Sequence, residues 1–481
     1  MTKYHISLIM FLCFFFCFSV FAQTDDTQIE DIKTVNPALK LNFPLSDLPY
    51  QISSVNKSVL KLDLPLFDLP YQISAMNTVG HGFFSGYANP SMAQSLALTL
   101  DIYSSFQYGM KYFDDNSGLN ETLKKIIYHI GTGLGDFIFS YMPGGSGWLH
   151  EEYHRAVLTR FGANSFNGMN LFPIGADVVY VSNVKDEDLS RIKKESSSDL
   201  VRMFEAGIEG EYLLIERLQR NNFFYNQNFL SEYTYWYNIL NSVLYVYASS
   251  LAQNGIDMDE TETSESRDFA GLDFTAWVYD LFRPDEPYED RGVHPTGDGV
   301  DRYVSVSDLT EDELNYLKLQ GYLQMLNFLS PMMFGIKSLP MGEFDGNFAI
   351  RHYLTSFGYD ISAQVYLKKR PFNMVFILHN YANYANWFPA IEAELVDYPY
   401  NIGKLAMFLS PRVLIGMQPK GQVFKTGSPE FLGLLGLRID FIVHKIIFPY
   451  LDFTVKTKGW VAGNEYLNAN ASVRLGVSFR F

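Results

Sequence analysis

Residues 150–154 read His-Glu-Glu-Tyr-His, an HExxH pattern, and no other stretch of the 481 residues points so directly at chemistry. On a helix, positions i and i+4 share one face, so His150 and His154 can both reach one metal ion. Glu151, between them, is then placed to take a proton from a metal-bound water. The same spacing also fits a structural histidine pair, so the pattern sets an expectation to be met by geometry.

A helix is what must hold these three residues, and the flanks suit one. Pro143-Gly144-Gly145 breaks the chain, Ser146 is an N-cap residue type, and Trp148 to Phe161 holds no Gly or Pro before Gly162. The motif resembles that of the zincin metallopeptidases. That resemblance covers five residues and implies zinc, with His150 and His154 as ligands and Glu151 as general base. The metzincin branch needs a Gly and a third His soon after, but Arg155-Ala-Val-Leu-Thr-Arg160 follows. The gluzincin branch takes its third ligand from a later helix. Met203-Phe-Glu-Ala-Gly-Ile-Glu-Gly-Glu-Tyr212 resembles its ExxxD element, with Glu209 in the place of the Asp. By that resemblance Glu205 is the third metal ligand and Glu209 the acceptor that orients a histidine. Ala206, Gly207 and Gly210 would let another helix approach closely. A solvated acidic helix face fits Glu205 and Glu209 equally well. An electrophilic partner for an oxyanion has four candidates in His81, His129, His294 and Tyr153.

Composition narrows the setting. Residues 1–22 read as a secretory signal. Lys3 is followed by an apolar run from Ile6 to Phe21 and a small-residue cleavage region near Ala22 and Gln23. Cys13 and Cys17 are the two cysteines, and both fall inside that segment, so processing leaves no disulfide and no thiolate ligand. A zinc site built from His and carboxylate alone suits catalysis better than a closed structural role. The net charge of −16 argues against a nucleic-acid partner. Forty Phe and 32 Tyr are more than an ordinary soluble domain needs, and they fit rings at a membrane–water interface.

Three further regions follow. Residues 23–75 hold a duplication in which Leu41 to Ser53 returns as Leu62 to Ser74, each copy carrying Asp-Leu-Pro-Tyr-Gln-Ile-Ser. The prolines favour an extended arm and oppose helix or central strand. Residues 76–338 read as mainly helical. Helices are expected over 120–141, 186–218 and 231–251, with a further one opened by the capping box Thr310-Glu-Asp-Glu313 and running to about 329. Residues 95–112 fit strand or helix.

From about 339 the period becomes two. Ile361, Ala363, Val365 and Leu367 alternate with polar neighbours, and so do Leu437, Ile439 and Phe441. Residues 473–481 alternate to a final Phe481 and resemble the last strand of bacterial outer-membrane β-barrels. The resemblance implies that Val473, Leu475, Val477 and Phe479 face lipid while Arg474, Gly476, Ser478 and Arg480 face a lumen. A soluble antiparallel sheet has the same alternation.

The expectation is an α+β chain in which a helical zinc-binding domain precedes an antiparallel, membrane-embedded β-barrel of about eight strands over 339–481. It is exported through a cleaved signal peptide to the outer membrane, with the lipid bilayer and a protein or peptide substrate as partners. The corresponding activity is zinc-dependent hydrolysis of peptide bonds. The competing class is a non-enzymatic outer-membrane barrel, porin-like or part of an assembly, with the helices as plug or docking platform.

Overall fold

A computed structural model describes residues 60–79, 88–171, 179–225, 227, 229–251 and 263–481. The chain divides into Met1–Leu48 and Pro49–Phe481, and every described residue lies in the second part. The expected signal segment, the first copy of the duplication and His81 lie outside the described residues. The second copy forms a strand and a helix, β1 (Lys61–Leu69) and α1 (Tyr71–Val79).

Two long helices come next, α2 (Met92–Asn116) and α3 (Glu121–Phe139). Ser91 and Gln94 form a reciprocal capping box that starts α2, which settles residues 95–112 as helix. Asn120 caps α3 through the Leu123 amide. The HExxH segment lies on α4 (Ser146–Arg160). A two-stranded ribbon, β2 (Phe166–Asn167) with β3 (Val181–Ser182), precedes α5 (Asp186–Glu195) and α6 (Ser197–Phe224). The expected single helix over 186–218 is thus two. Ser196 is extended, and its side chain caps α6 at the Asp199 amide. Then come α7 (Glu232–Ala248), α8 (Asp273–Phe282) and α9 (Glu311–Leu323). The Thr310–Glu313 capping box is formed, and a tighter helical turn continues α9 from Gln324 to Phe328.

The remaining strands are β4 (Leu339–Met341), β5 (Phe344–Thr355), β6 (Gly358–Lys369), β7 (Phe372–Ala382), β8 (Trp387–Leu395), β9 (Tyr398–Ile402), β10 (Leu405–Pro419), β11 (Pro429–Phe441), β12 (Ile447–Lys456) and β13 (Asn470–Arg480). With β1 they make one eleven-stranded antiparallel sheet. Its order is β1-β13-β12-β11-β10-β8-β7-β6-β5-β4, with β9 beside β10.

Register puts exposed apolar side chains on one face, while the other face buries charged side chains together with apolar ones such as Val375, Ile377, Leu414 and Leu434. Leu378 faces Ile391 across β7 and β8, and Leu435 faces Val455 across β11 and β12. All four are more than half exposed. The opposite face pairs Arg480 with Asp397 at 2.8 Å, Arg412 with Glu392 at 2.8 Å and Arg474 with Asp68 at 3.0 Å. Ser478 and Arg480 of β13 are buried there while Leu475 is exposed. The C-terminal half of α6 packs on this buried face. Glu216 accepts from Gln364 at 3.0 Å, and Arg220 pairs with Glu394 at 2.6 Å.

The sheet has eleven strands rather than about eight, and it does not close on itself as a barrel. The reason is that helical elements satisfy both of its edges. At β1, the Asp63 amide donates to both carboxylate oxygens of Asp101 on α2, and Gln94 donates to the Pro65 carbonyl. At β5, the Ile350 amide donates to the Leu329 carbonyl and the His352 amide to Asn327 Oδ1. An edge whose donors are satisfied this way has no need of a further strand.

Candidate metal centre

α4 is buried along nearly its whole length, from Ser146 to Thr159. Ser146 is its first helical residue, and Gly145 precedes it without a side-chain cap. A helix buried on all sides needs close neighbours, and α6 crosses it at two glycines. A Cβ at Gly210 would lie 3.0 Å from the Tyr153 ring. A Cβ at Gly207 would lie 2.5 Å from His154 Nε2 and closer still to His150 Nε2. The expected close approach at Gly207 and Gly210 is therefore present, and it is made against the motif itself.

His150, His154 and Asp273 converge. One donor atom from each lies within 4.8 Å of the other two, and all three residues are buried. His150 Nε2 is 3.1 Å and His154 Nε2 3.6 Å from Asp273 Oδ2. The other ring nitrogens are engaged. His150 Nδ1 bonds Glu211 Oε1 at 2.9 Å, and His154 Nδ1 bonds the Met203 carbonyl at 2.6 Å. An acceptor at each Nδ1 fixes the ring orientation and turns Nε2 inward toward the other donors. Ser242 holds Glu211 in turn, donating to Oε2 at 2.8 Å. Tyr245 donates to Asp273 Oδ2 at 2.9 Å.

The residues fit a cation. His154 Nε2 is buried and has no hydrogen-bond partner among the described residues. Two imidazoles and a carboxylate are a donor set for a divalent transition metal. Burial pushes the Glu151 carboxyl up to about 8, with the charge of Asp273 adding to it. Asp268, nearby, is also pushed up to about 8, by burial and then by Glu151. Burial alone would lower the His150 pKa. The bonds to Asp273 and Glu211 overcome that and hold it well above the usual histidine value. Burial would raise Asp273, but the His154 charge and the bond from His150 hold it well below the usual carboxylate range. Carboxylates thus outnumber the imidazoles in a buried space, a balance that a divalent cation relieves.

Glu205 does not join this group. Arg202, one turn earlier on α6, pairs with Glu205 Oε1 at 2.7 Å and with Glu209 Oε2 at 2.8 Å. Trp460 Nε1 donates to Glu205 and the Gly463 amide to Glu209, so both acids clasp the β12–β13 loop. The third donor beside the two histidines is Asp273, at the start of α8, and the acceptor that orients His150 is Glu211. A helix turns about 100° per residue, so Met203, Gly207 and Glu211 share one face while Glu205 and Glu209 point roughly the opposite way. Gly207 was the legible signal, because the face that carries it must meet α4. Asp273 had no such signal, since it follows a loop and belongs to no spaced motif.

Of the electrophile candidates, His129 on α3 bonds Tyr233, and His294 bonds Thr296 in its own loop. Tyr153 packs on Gly210 with its hydroxyl buried and without a hydrogen-bond partner among the described residues. Tyr245, not among them, is the hydroxyl that touches the centre.

No family model, no curated protein and no solved structure matches this chain.

Proposed function

We propose that the chain is a zinc-dependent hydrolase acting on peptide bonds, seated in the outer membrane by its sheet. The observation that carries this reading is the convergence of His150, His154 and Asp273 beside Glu151, with both Nδ1 atoms already engaged. Zinc, bound there, would polarise a carbonyl and acidify water. His150 and His154 would hold it through Nε2, and Asp273 through Oδ2. Glu151 has no hydrogen-bond partner among the described residues, and its raised pKa suits a group that takes a proton and returns it near neutral pH. Tyr245 is placed to steady Asp273, donating to its Oδ2 and accepting from its amide.

The membrane seating is supported by the outward face of the sheet, where Leu378, Ile391, Leu435 and Val455 are exposed, while charged pairs such as Arg480 with Asp397 lie on the inward face. Among the described residues no helix is long and apolar enough to cross a membrane.

A second reading has its own support. The three donors are only 1–6% exposed, and His150 with Asp273 already forms a satisfied ion pair. In that reading the protein is a non-enzymatic membrane protein whose α6 plugs the buried face of the sheet. Metal content separates the two. The hydrolase reading expects about one zinc per chain in the wild type, little in His154→Ala, and a Glu151→Gln protein that keeps the metal but loses peptide hydrolysis. Equal, negligible metal in wild type and His154→Ala would leave the plug reading standing.

A further inference from the structure

We infer that the helical half supplies the rest of the lipid-contacting wall, so that α3 and the 319–336 segment lie against acyl chains beside the sheet. This rests on the membrane seating proposed above. The first observation is that α3 is inside out. Its buried face carries Thr132, Gly133 and Asp136. Its exposed face carries Leu123, Ile126, Ile130, Leu134 and Ile138, with Lys125 and His129 exposed in its N-terminal half and no exposed polar residue from Ile130 to Phe139. Thr234 donates to Asp136 at 2.6 Å, so the polar side of α3 is committed to α7. The glycines face inward too. A Cβ at Gly131 would lie 2.7 Å from Met110 Cε, and one at Gly135 would overlap the Phe106 ring of α2. Small and polar residues inside with large apolar residues outside are what a helix surrounded by lipid requires.

The second observation is that a further run of exposed apolar residues adjoins the sheet edge. Leu319, Tyr322, Met325, Leu329, Phe334 and Ile336 are all exposed in the segment whose backbone caps the β5 edge. At the other edge α2 caps β1 and packs on α3. The elements therefore run in a ring from β1 through the sheet to β5, then to 324–328, α7, α3, α2 and back to β1. The third observation is height. Ile126 to Ile138 spans about 18 Å at ~1.5 Å per residue, so the apolar face of α3 would cover most, but not all, of the roughly 25 Å band that a transmembrane barrel presents to lipid.

The test uses the full chain with Cys13 and Cys17 changed to serine and one new cysteine at Ile130, Leu134, Leu435 or Val293. Each variant carries a polarity-sensitive fluorophore and is reconstituted in phosphatidylcholine vesicles containing nitroxide-labelled acyl chains. Leu435 reports the sheet, and Val293, 71% exposed in a loop, is the aqueous control. The expected result is quenching at Ile130 and Leu134 as deep as at Leu435, with Val293 unaffected. Quenching at Leu435 without quenching at Ile130 and Leu134 overturns this inference and leaves the membrane sheet intact. Quenching at neither place overturns both. Labels on α3 shielded from aqueous iodide but blind to the nitroxide lipids would mean that a protein covers that face, and would also overturn it.

Discussion

Gly207→Ala should separate metal binding from folding. The added methyl would meet His154 Nε2 at 2.5 Å, whereas ordinary contact begins near 3.4 Å, so the rings and α6 must part by about 0.9 Å. Metal–ligand distances tolerate only about 0.2 Å. Overpacking of this kind costs roughly 1–3 kcal/mol, while replacing a mid-helix glycine by alanine returns about 1 kcal/mol. The net loss of stability is therefore small, and the metal affinity should fall by at least the 10–100-fold typical of a disturbed ligand shell. Competition with a chelator of known affinity measures the second quantity, and thermal unfolding in excess chelator measures the first. Gly210→Ala is the control. Its methyl would meet the Tyr153 ring at 3.0 Å, a shortfall of about 0.4 Å, and touches neither histidine. A Gly207→Ala protein that binds zinc as tightly as the wild type would refute the packing and the donor geometry together.

Glu205→Gln should keep the metal at wild-type stoichiometry, because Trp460 and Arg202 hold that side chain away from the histidines; metal analysis of the purified variant decides it. Arg202→Met should lower stability by roughly 3–5 kcal/mol, since it leaves Glu205 and Glu209 buried without their cation; denaturant unfolding reads it. Glu211→Ala should weaken zinc binding about 10–100-fold by freeing the His150 ring, with a smaller effect on folding; the same chelator competition applies. Zinc affinity should rise with pH above the usual histidine range. His150 holds its proton well past that range in the metal-free protein, and the metal must displace it; titration at a series of pH values checks this. In chelator, the raised His150 pKa stabilises the fold fully below the usual histidine value, and that contribution is lost as pH rises through the raised one. The depressed Asp273 pKa acts in the opposite direction, present above the usual carboxylate value and lost as pH falls. Metal-free stability is therefore greatest between those two limits.

Local signals read well in this chain where the cause of a structure is itself local. The HExxH helix, the Thr310 capping box and the two-residue alternation of β6, β11 and β13 all rest on neighbours within a few positions. The errors come where distant partners decide. Glu205 and Glu209 match a zincin element by spacing, yet Arg202 and the loop at Trp460 claim them. Asp273 reaches His150 from 123 positions away. The alternation at 361–367 says which side chains share a face, but whether a sheet closes depends on what satisfies its edges. Asp101 and Leu329 do so here, and neither lies in the β region. β1 was legible as extended chain with prolines, which suits an edge, but nothing in residues 61–69 names β13 as its partner.

That pairing sets an order of assembly. Asp68 meets Arg474 across 406 positions, so the seam between β1 and β13 can form only after nearly the whole chain is available. Until then β1 lacks its β13 partner, and its backbone donors on that side have no ladder to join. Contacts of such long range form late, and a bare strand edge recruits wrong partners in the meantime. A chain stopped short of β13 would fail as a whole, because its first strand would never be locked in place.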